Sequence, residues 1–219
     1  LGNLLQGDLG ASFGNKGYTV NEVIAQSWPV SVTIGVCGLA IALLLGVPIG
    51  VYAAAHRNTR IDYTLMFIAL IGICLPTFVL GPVLALVFGI KLNWFNANGW
   101  YDKTDWVLPA LTLGLYYSAY IARLARGGML EILSQDFIRT ARAKGVPGHL
   151  VVLKHALRNA LIAPFTVIML QFPWLLNGVV IVESLFNYKG FGWVLVEAAG
   201  NNDIQLLLAV SVVSVFVVL

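Results

Sequence analysis

Charge is what this sequence has least of. Aspartate, glutamate, lysine and arginine make up 11% of its 219 residues, where an ordinary soluble domain carries about 25%. A water-soluble domain with a large core is thereby excluded. Cysteine is nearly absent: Cys37 and Cys74 both sit in apolar runs, so they form no metal-ligand pair and report no redox compartment. No GxxxxGK[ST] occurs, which excludes P-loop binding of ATP. His56, His149 and His155 read as solvated or interfacial side chains rather than metal ligands, and His149 and His155 have poor spacing for one helix face. A net charge of +3 is too small to indicate nucleic acid. No convergent set of acid, base or metal ligands points to an enzyme. The opening LGNLLQGDLGASFGNKGYTV has neither a basic stretch nor a long apolar core, so it does not read as a signal peptide. The chain closes on an unfinished apolar run at Leu219, and both ends read as cut.

What the sequence has in quantity is apolar residues, 59% of the chain. About 20 such residues in a row cross a bilayer as helix. The runs predict an all-α, polytopic membrane bundle with spans at about 28–55, 61–90, 107–122 and 161–186, and a fifth beginning near Ile204. Residues 1–27 form an extracytoplasmic or interfacial segment, with 22–27 starting a short interfacial helix before Trp28 and Pro29. Gly46-Val47-Pro48-Ile49-Gly50 should bend or loosen the first span. The loop 91–106 carries Trp94, Trp100, Tyr101 and Trp106, as expected of a membrane–water boundary. Residues 187–203 read as a second outer loop, and Arg123 and Arg126 extend the third span and snorkel to the headgroups.

Lysine and arginine set the orientation. Arg57, Arg60, Arg123, Arg126, Arg139, Arg142, Lys144, Lys154 and Arg158 lie on one side, against Lys16, Lys91, Lys103 and Lys189 on the other. This places the long polar loop, about 127–160, in the cytoplasm.

Within that loop, residues 131–164 predict two helices and a break. In the first, Leu133, Phe137, Ile138 and Ala141 share one side, and Gln135, Arg139 and Arg142 the other. Gly145 suits a helix end and Pro147 the first turn of a new helix. In the second, Lys154, His155, Arg158 and Asn159 form a polar stripe. Leu150, Leu153, Ala156, Leu157, Ala160 and Leu161 cover most of the rest, with Val151 the exception.

These residues carry a resemblance. Arg139-Thr140-Ala141-Arg142-Ala143-Lys144-Gly145, followed by His155-Ala156-Leu157-Arg158-Asn159-Ala160 and Pro164, resembles the ATPase-binding loop of permease subunits in bacterial ABC importers, in the dipeptide/oligopeptide branch. The wider family pattern is Glu-Ala-Ala, three residues, Gly, nine residues, then Ile-x-Leu-Pro. Ala141, Gly145 and Leu157 keep it; Arg139, Thr140, His155 and Arg158 depart from it in the way the peptide branch does. The resemblance implies a type I importer permease fold over 28–219, truncated at both ends, with an N-terminal membrane helix and a short C-terminal tail beyond the sequence. It also implies a bacterial inner-membrane location, a second homologous permease, two cytoplasmic ATPase subunits that bind the ATP, and an extracytoplasmic substrate-binding protein. This chain itself would bind no cofactor. Its coupling residues would be Arg139, Thr140, Ala141, Arg142, Lys144, Gly145, Pro147, His155, Arg158 and Asn159. Arg142 and Lys144 equally fit ordinary positive-inside charges. His155, Arg158 and Asn159 fit either partner contact or bracing of the loop.

Pro76, Thr77, Gln171, Pro173 and Asn177 interrupt apolar runs and are candidates for the translocation pathway, or else for bonds between helices. Glu183, in VVIVESLF, is the acidic residue deep in an apolar run. It resembles the glutamate preceding the family's outer Phe-x-x-Pro-Gly-x-Gly loop, here 186–192 with Lys189 where proline is usual, and reads as part of an outer gate. The alternative function is a secondary transporter driven by an ion gradient, which calls for paired ionisable groups at mid-membrane and inverted repeats.

Overall fold

The structure, a computed structural model, describes residues 9–12, 14, 17–176 and 180–218. Among them the regular structure is helical apart from one isolated antiparallel bridge between Ala11 and Thr19. The chain divides into two compact units: Leu1–Cys37, Thr77–Thr112 and Phe172–Leu219 in one, Gly38–Pro76 and Leu113–Gln171 in the other.

Helix α1 (Val20–Ala55) runs unbroken for 36 residues. It starts at a capping box, in which the Thr19 N–H donates to Glu22 Oε2 (2.8 Å) and the Glu22 N–H to Thr19 Oγ1 (3.3 Å). The separate interfacial helix expected at 22–27 is thus the first turns of α1. Neither Pro29 nor the 46–50 stretch interrupts it. A continuous helix satisfies nearly all of its own backbone, which an apolar surrounding demands. Among the described residues α1 alone is by itself long and apolar enough to cross a membrane. Two broken pairs, Arg60–Cys74 with Thr77–Lys91 and Gly148–Ala160 with Pro164–Pro173, meet that test together.

The expected second span is therefore two helices, α2 (Arg60–Cys74) and α3 (Thr77–Lys91, π-helical over Ala85–Lys91). They part at Leu75, whose ψ of 110° is what the following Pro76 enforces. Helix α4 (Val107–Leu133) extends well past the expected end at 122. Beyond the polar loop come α7 (Ile162–Leu176) and α8 (Val180–Leu185), then α9 (Phe191–Gly200) and α10 (Ile204–Val218), the last where expected.

Helix α9 lies where a loop was expected. Phe191, Val194 and Ala198 recur at helical spacing and bury against Val20, Leu206 and Val210, which holds the segment as helix. The Asp203 carboxylate caps α10 by accepting the Leu206 N–H (3.1 Å), and takes the Ser12 hydroxyl (2.6 Å) and Gly14 N–H (2.8 Å).

In the second unit, Gly46 of α1 meets α4 so closely that a β-carbon there would stand 2.6 Å from the Ser118 carbonyl oxygen. Small residues permit such approach where no hydrophobic force draws helices together. Gly46→Val is expected to cost about 2 kcal/mol, read as a lower melting temperature of the purified complex in detergent.

Candidate coupling site

The polar loop folds as α5 (Asp136–Ala143) and α6 (Gly148–Ala160). Ser134 and Gln135 separate α5 from α4, so Leu133 ends α4 instead of opening the loop's first helix. Asp136 in the first turn of α5 opposes the helix dipole favourably. It also pairs with Arg139 at 3.5 Å, an exposed contact of little energetic weight.

The end of α5 is a Schellman motif. The Gly145 N–H donates to the Arg142 carbonyl (2.9 Å) and the Val146 N–H to the Ala141 carbonyl (3.2 Å). Gly145 holds φ at 78°, and its missing β-carbon would meet nothing within 4 Å. Backbone conformation, not space, requires glycine here. Val146 tucks beneath the turn against the buried cluster of the loop. Pro147 stands at the N-cap of α6 in extended geometry, one place earlier than expected, and its carbonyl accepts the Leu150 and Val151 N–H groups.

Helix α6 is π-helical over Val151–Ala156. The wider turn brings Val151 and Ala156 onto one face with Ala160, and all three are buried with Ile138, Ala141, Ala54 of α1 and Met129 of α4. The expectation for Val151 is therefore reversed: it is fully buried, while Leu150 and Leu153 are 40% and 57% exposed. A regular α-helix would repeat that face at four residues; the π-turn repeats it at five. Phe137 is likewise exposed, although Ile138 and Ala141 are buried as expected.

Ala141 thus faces inward. Arg139, Thr140, Arg142, Lys144, Gly145, Pro147, Arg158 and Asn159 are exposed, and His155 is half-buried. The elbow from Arg142 to Pro147 presents cations and bare backbone on one side and is fixed to α1 and α4 on the other. His56 and His149 line one groove of about 750 Å³ beside it, but no trio of metal-binding side chains occurs among the described residues.

Behind the elbow, Arg126 of α4 does not reach for headgroups. Its guanidinium donates from Nε to Asp62 Oδ1 (2.6 Å) and from Nη2 to Asp62 Oδ2 (2.7 Å). Asp62 is fully buried and also accepts the Asn58 N–H (3.0 Å). The pair ties the α1–α2 turn to the helix that leads into the polar loop.

The other unit holds Glu183, fully buried on α8. Its Oε1 accepts the Ser31 hydroxyl (2.5 Å) and its Oε2 the Trp193 N–H (2.8 Å), while Ser31 Oγ accepts the Phe191 N–H (2.7 Å). The carboxylate thereby pins the start of α9 to α1. Next to it, the buried Tyr188 hydroxyl donates to the Asp105 carbonyl (2.7 Å), and burial together with the Asp105 charge pushes its phenol well above the ordinary range. Pro76 is exposed, and Thr77, Gln171 and Pro173 are half-buried. Gln171 and Pro173 sit two residues apart on α7, and Asn177 lies outside the described residues.

Residues 46–219 match the family described as the inner membrane component of binding-protein-dependent transport systems. The chain belongs to that family. The oligopeptide transport system permease protein OppB of Haemophilus influenzae is 42% identical over 214 residues, 97% of this chain and 70% of that protein. AppB of Bacillus subtilis, also an oligopeptide transport permease, is 36% identical over 228 residues. The glutathione transport permease GsiC of Pectobacterium atrosepticum is 40% identical over 209 residues, 95% of this chain and 68% of that protein. The MetNI methionine ABC transporter in inward-facing conformations shares the fold, with a TM-score of 0.74 at 19% identity over 90% of this chain and 89% of that one.

The protein is accordingly an integral inner-membrane permease of the ABC importer family, a transport component and not an enzyme. Permeases of this family work with an ATPase and a binding protein. Nothing in these relatives supports the ion-driven alternative. Sequence reasoning missed the Asp62–Arg126 pair and the partners of Glu183. Thr59-x-x-Asp62 before an apolar run marks the start of α2 but does not point to Arg126, 64 residues away. The partners of Glu183 had no signal either, since Ser31 and Glu183 are 152 residues apart.

Proposed function

We propose that this permease forms one half of the pathway of a peptide importer, pairing with a second, homologous permease. Its elbow, Arg142 to Pro147, is gripped by a cytoplasmic ATPase. The observation that carries the reading is that the elbow is exposed on its outer side while Val146, Ala141, Val151 and Ala156 root it in α1 and α4. A rigid knuckle of this kind delivers displacement instead of absorbing it. ATP binding would draw the two elbows together and open the spans outward for substrate from the binding protein; hydrolysis would reset them. Arg139, Thr140, Arg142, Lys144, Arg158 and Asn159 supply the exposed contact surface, and the half-buried His155 braces α6. The nine-to-four distribution of lysine and arginine supports a cytoplasmic elbow. Residues 28–219 then form the permease domain, and 1–27 an extracytoplasmic segment. Thr77, Gln171 and Pro173, with Pro76 and Asn177, supply candidate breaks along the pathway, and Glu183 closes its outer end by holding α9.

Gly145→Glu is expected to leave the complex assembled and hydrolysing ATP while peptide uptake in proteoliposomes falls by at least tenfold. The left-handed φ strains any side chain by about 1 kcal/mol, too little to unfold the subunit, and the carboxylate must enter the contact with the ATPase. Uptake at the wild-type rate would refute the knuckle.

A further inference from the structure

The unit that contains Glu183 also carries a half-open pocket of about 180 Å³ between the first turns of α1 and α9. It is lined by Tyr18, Gln26, Ser27, Lys189, Trp193 and Glu197, with Val23 and Val194 as apolar floor. Two features set it apart. Its wall carries one cation and one carboxylate that do not pair with each other: no Lys189–Glu197 bridge within 4 Å occurs, and the Lys189 ammonium lies instead 5.7 Å from the Trp193 ring centroid. Both charges nevertheless face one space small enough for them to feel each other. Burial pushes the Glu197 carboxyl up, and the Lys189 charge pulls it back down. Aromatic rings with a polar edge, Tyr18 and Trp193, are part of the lining and favour a small polar guest with an apolar side.

We propose that this cavity binds a dipeptide-sized zwitterion, with the guest's ammonium group against Glu197 and its carboxylate against Lys189. A guest of that kind replaces the missing ion pair with two, and side chains on it can extend through the open side of the pocket. Gln26 and the Ser27 hydroxyl oxygen add polar contacts beside the guest backbone, Ser27 keeping its own donor on the Ile24 carbonyl (3.2 Å). The cavity lies beside the segment that Glu183 pins, because Trp193 both lines it and donates its N–H to Glu183. A guest therefore reports directly on the position of α9. The proposal rests on the peptide-import reading and narrows it to a recognition point on the permease itself.

The test uses the intact permease–ATPase complex in nanodiscs, without the binding protein, and measures saturation-transfer NMR titrations with three probes: dialanine, N-acetyl-dialanine and dialanine amide. Wild type is expected to prefer dialanine over either blocked form by about tenfold, the scale of one charge-assisted hydrogen bond. Glu197→Gln should bind dialanine about tenfold more weakly and lose the distinction between dialanine and its acetylated form. Lys189→Gln should lose only the distinction from the amide. This crossed pattern separates recognition from general damage, which would weaken all three probes alike. Equal binding of the three probes by wild type, or unchanged preferences in both variants, overturns the proposal. A parallel uptake assay of the wild-type transporter with its binding protein keeps the two readings apart. Peptide uptake with unchanged variant preferences sinks the cavity alone; the crossed pattern without any peptide uptake sinks the import reading alone.

Discussion

Asp62→Ala is expected to lower the stability of the assembled permease by about 3 kcal/mol, at the lower end of what removing one partner from a buried ion pair costs. Arg126 keeps 26% of its side chain exposed, so water offsets part of the loss. The substitution leaves a guanidinium without its two carboxylate acceptors and the Asn58 N–H without its partner. It also loosens the α1–α2 turn, where Asn58 is held at a φ of 61°. The measurement is the melting temperature of the detergent-purified complex, together with the amount of subunit in the membrane. Arg126→Ala should cost at least as much, because it leaves the fully buried Asp62 carboxylate without its bonded cation. A double variant, Asp62→Leu with Arg126→Met, should recover much of the loss, since apolar replacement of a buried pair is often near neutral. If both single variants melt like wild type, the pair carries no structural weight.

Glu183→Ala is expected to be comparably damaging, at about 3 kcal/mol, for a different reason. The carboxylate accepts bonds from the Ser31 hydroxyl and the Trp193 N–H, and its loss leaves buried donors without partners. Glu183→Gln should lose less, because the amide oxygen still accepts one bond. Its NH₂ group, however, faces a donor where the second carboxylate oxygen stood. Ser31→Ala should fall between them, since Ser31 both donates to Glu183 and accepts the Phe191 N–H. The useful observable is limited proteolysis or hydrogen exchange across 186–200: if the network pins α9, that segment should open first in each variant, in the order of lost bonds. Equal protection in wild type and Glu183→Ala would contradict this.

Much of this arrangement was legible in the sequence, and the departures have identifiable causes. The membrane class followed from scarce charge and long apolar runs, and the two-helix loop followed from Gly145 and Pro147, because backbone constraints are local. Helix phase beyond Pro147 was not legible. A period of 3.6 residues assigns Val151 to the exposed side, and only the π-turn, set by packing against α1 and α4, places it inside. The break at Pro76 was visible as an interruption, but its effect on the second span was understated, as Leu75 is forced fully out of helix. Helix α9 was hidden by its neighbours: the surrounding glycine and asparagine read as loop, while Phe191, Val194 and Ala198 carried the helical period. Partners distant in the chain, such as Arg126 for Asp62, leave no mark at either position alone. The sequence did indicate that a carboxylate at 183 needed company, though not which groups would provide it.

The ion pair sits on the same rod as the elbow's anchorage. Arg126 precedes the end of α4 by seven residues, about two turns, and Met129 lies between them in the cluster that roots the elbow. Within α4 the Asp62–Arg126 clasp stands between the residues that anchor the polar loop and the stretch that packs on Gly46 of α1. A load on the polar loop would pass through the Met129 cluster to that clasp before reaching the packed seam beyond it.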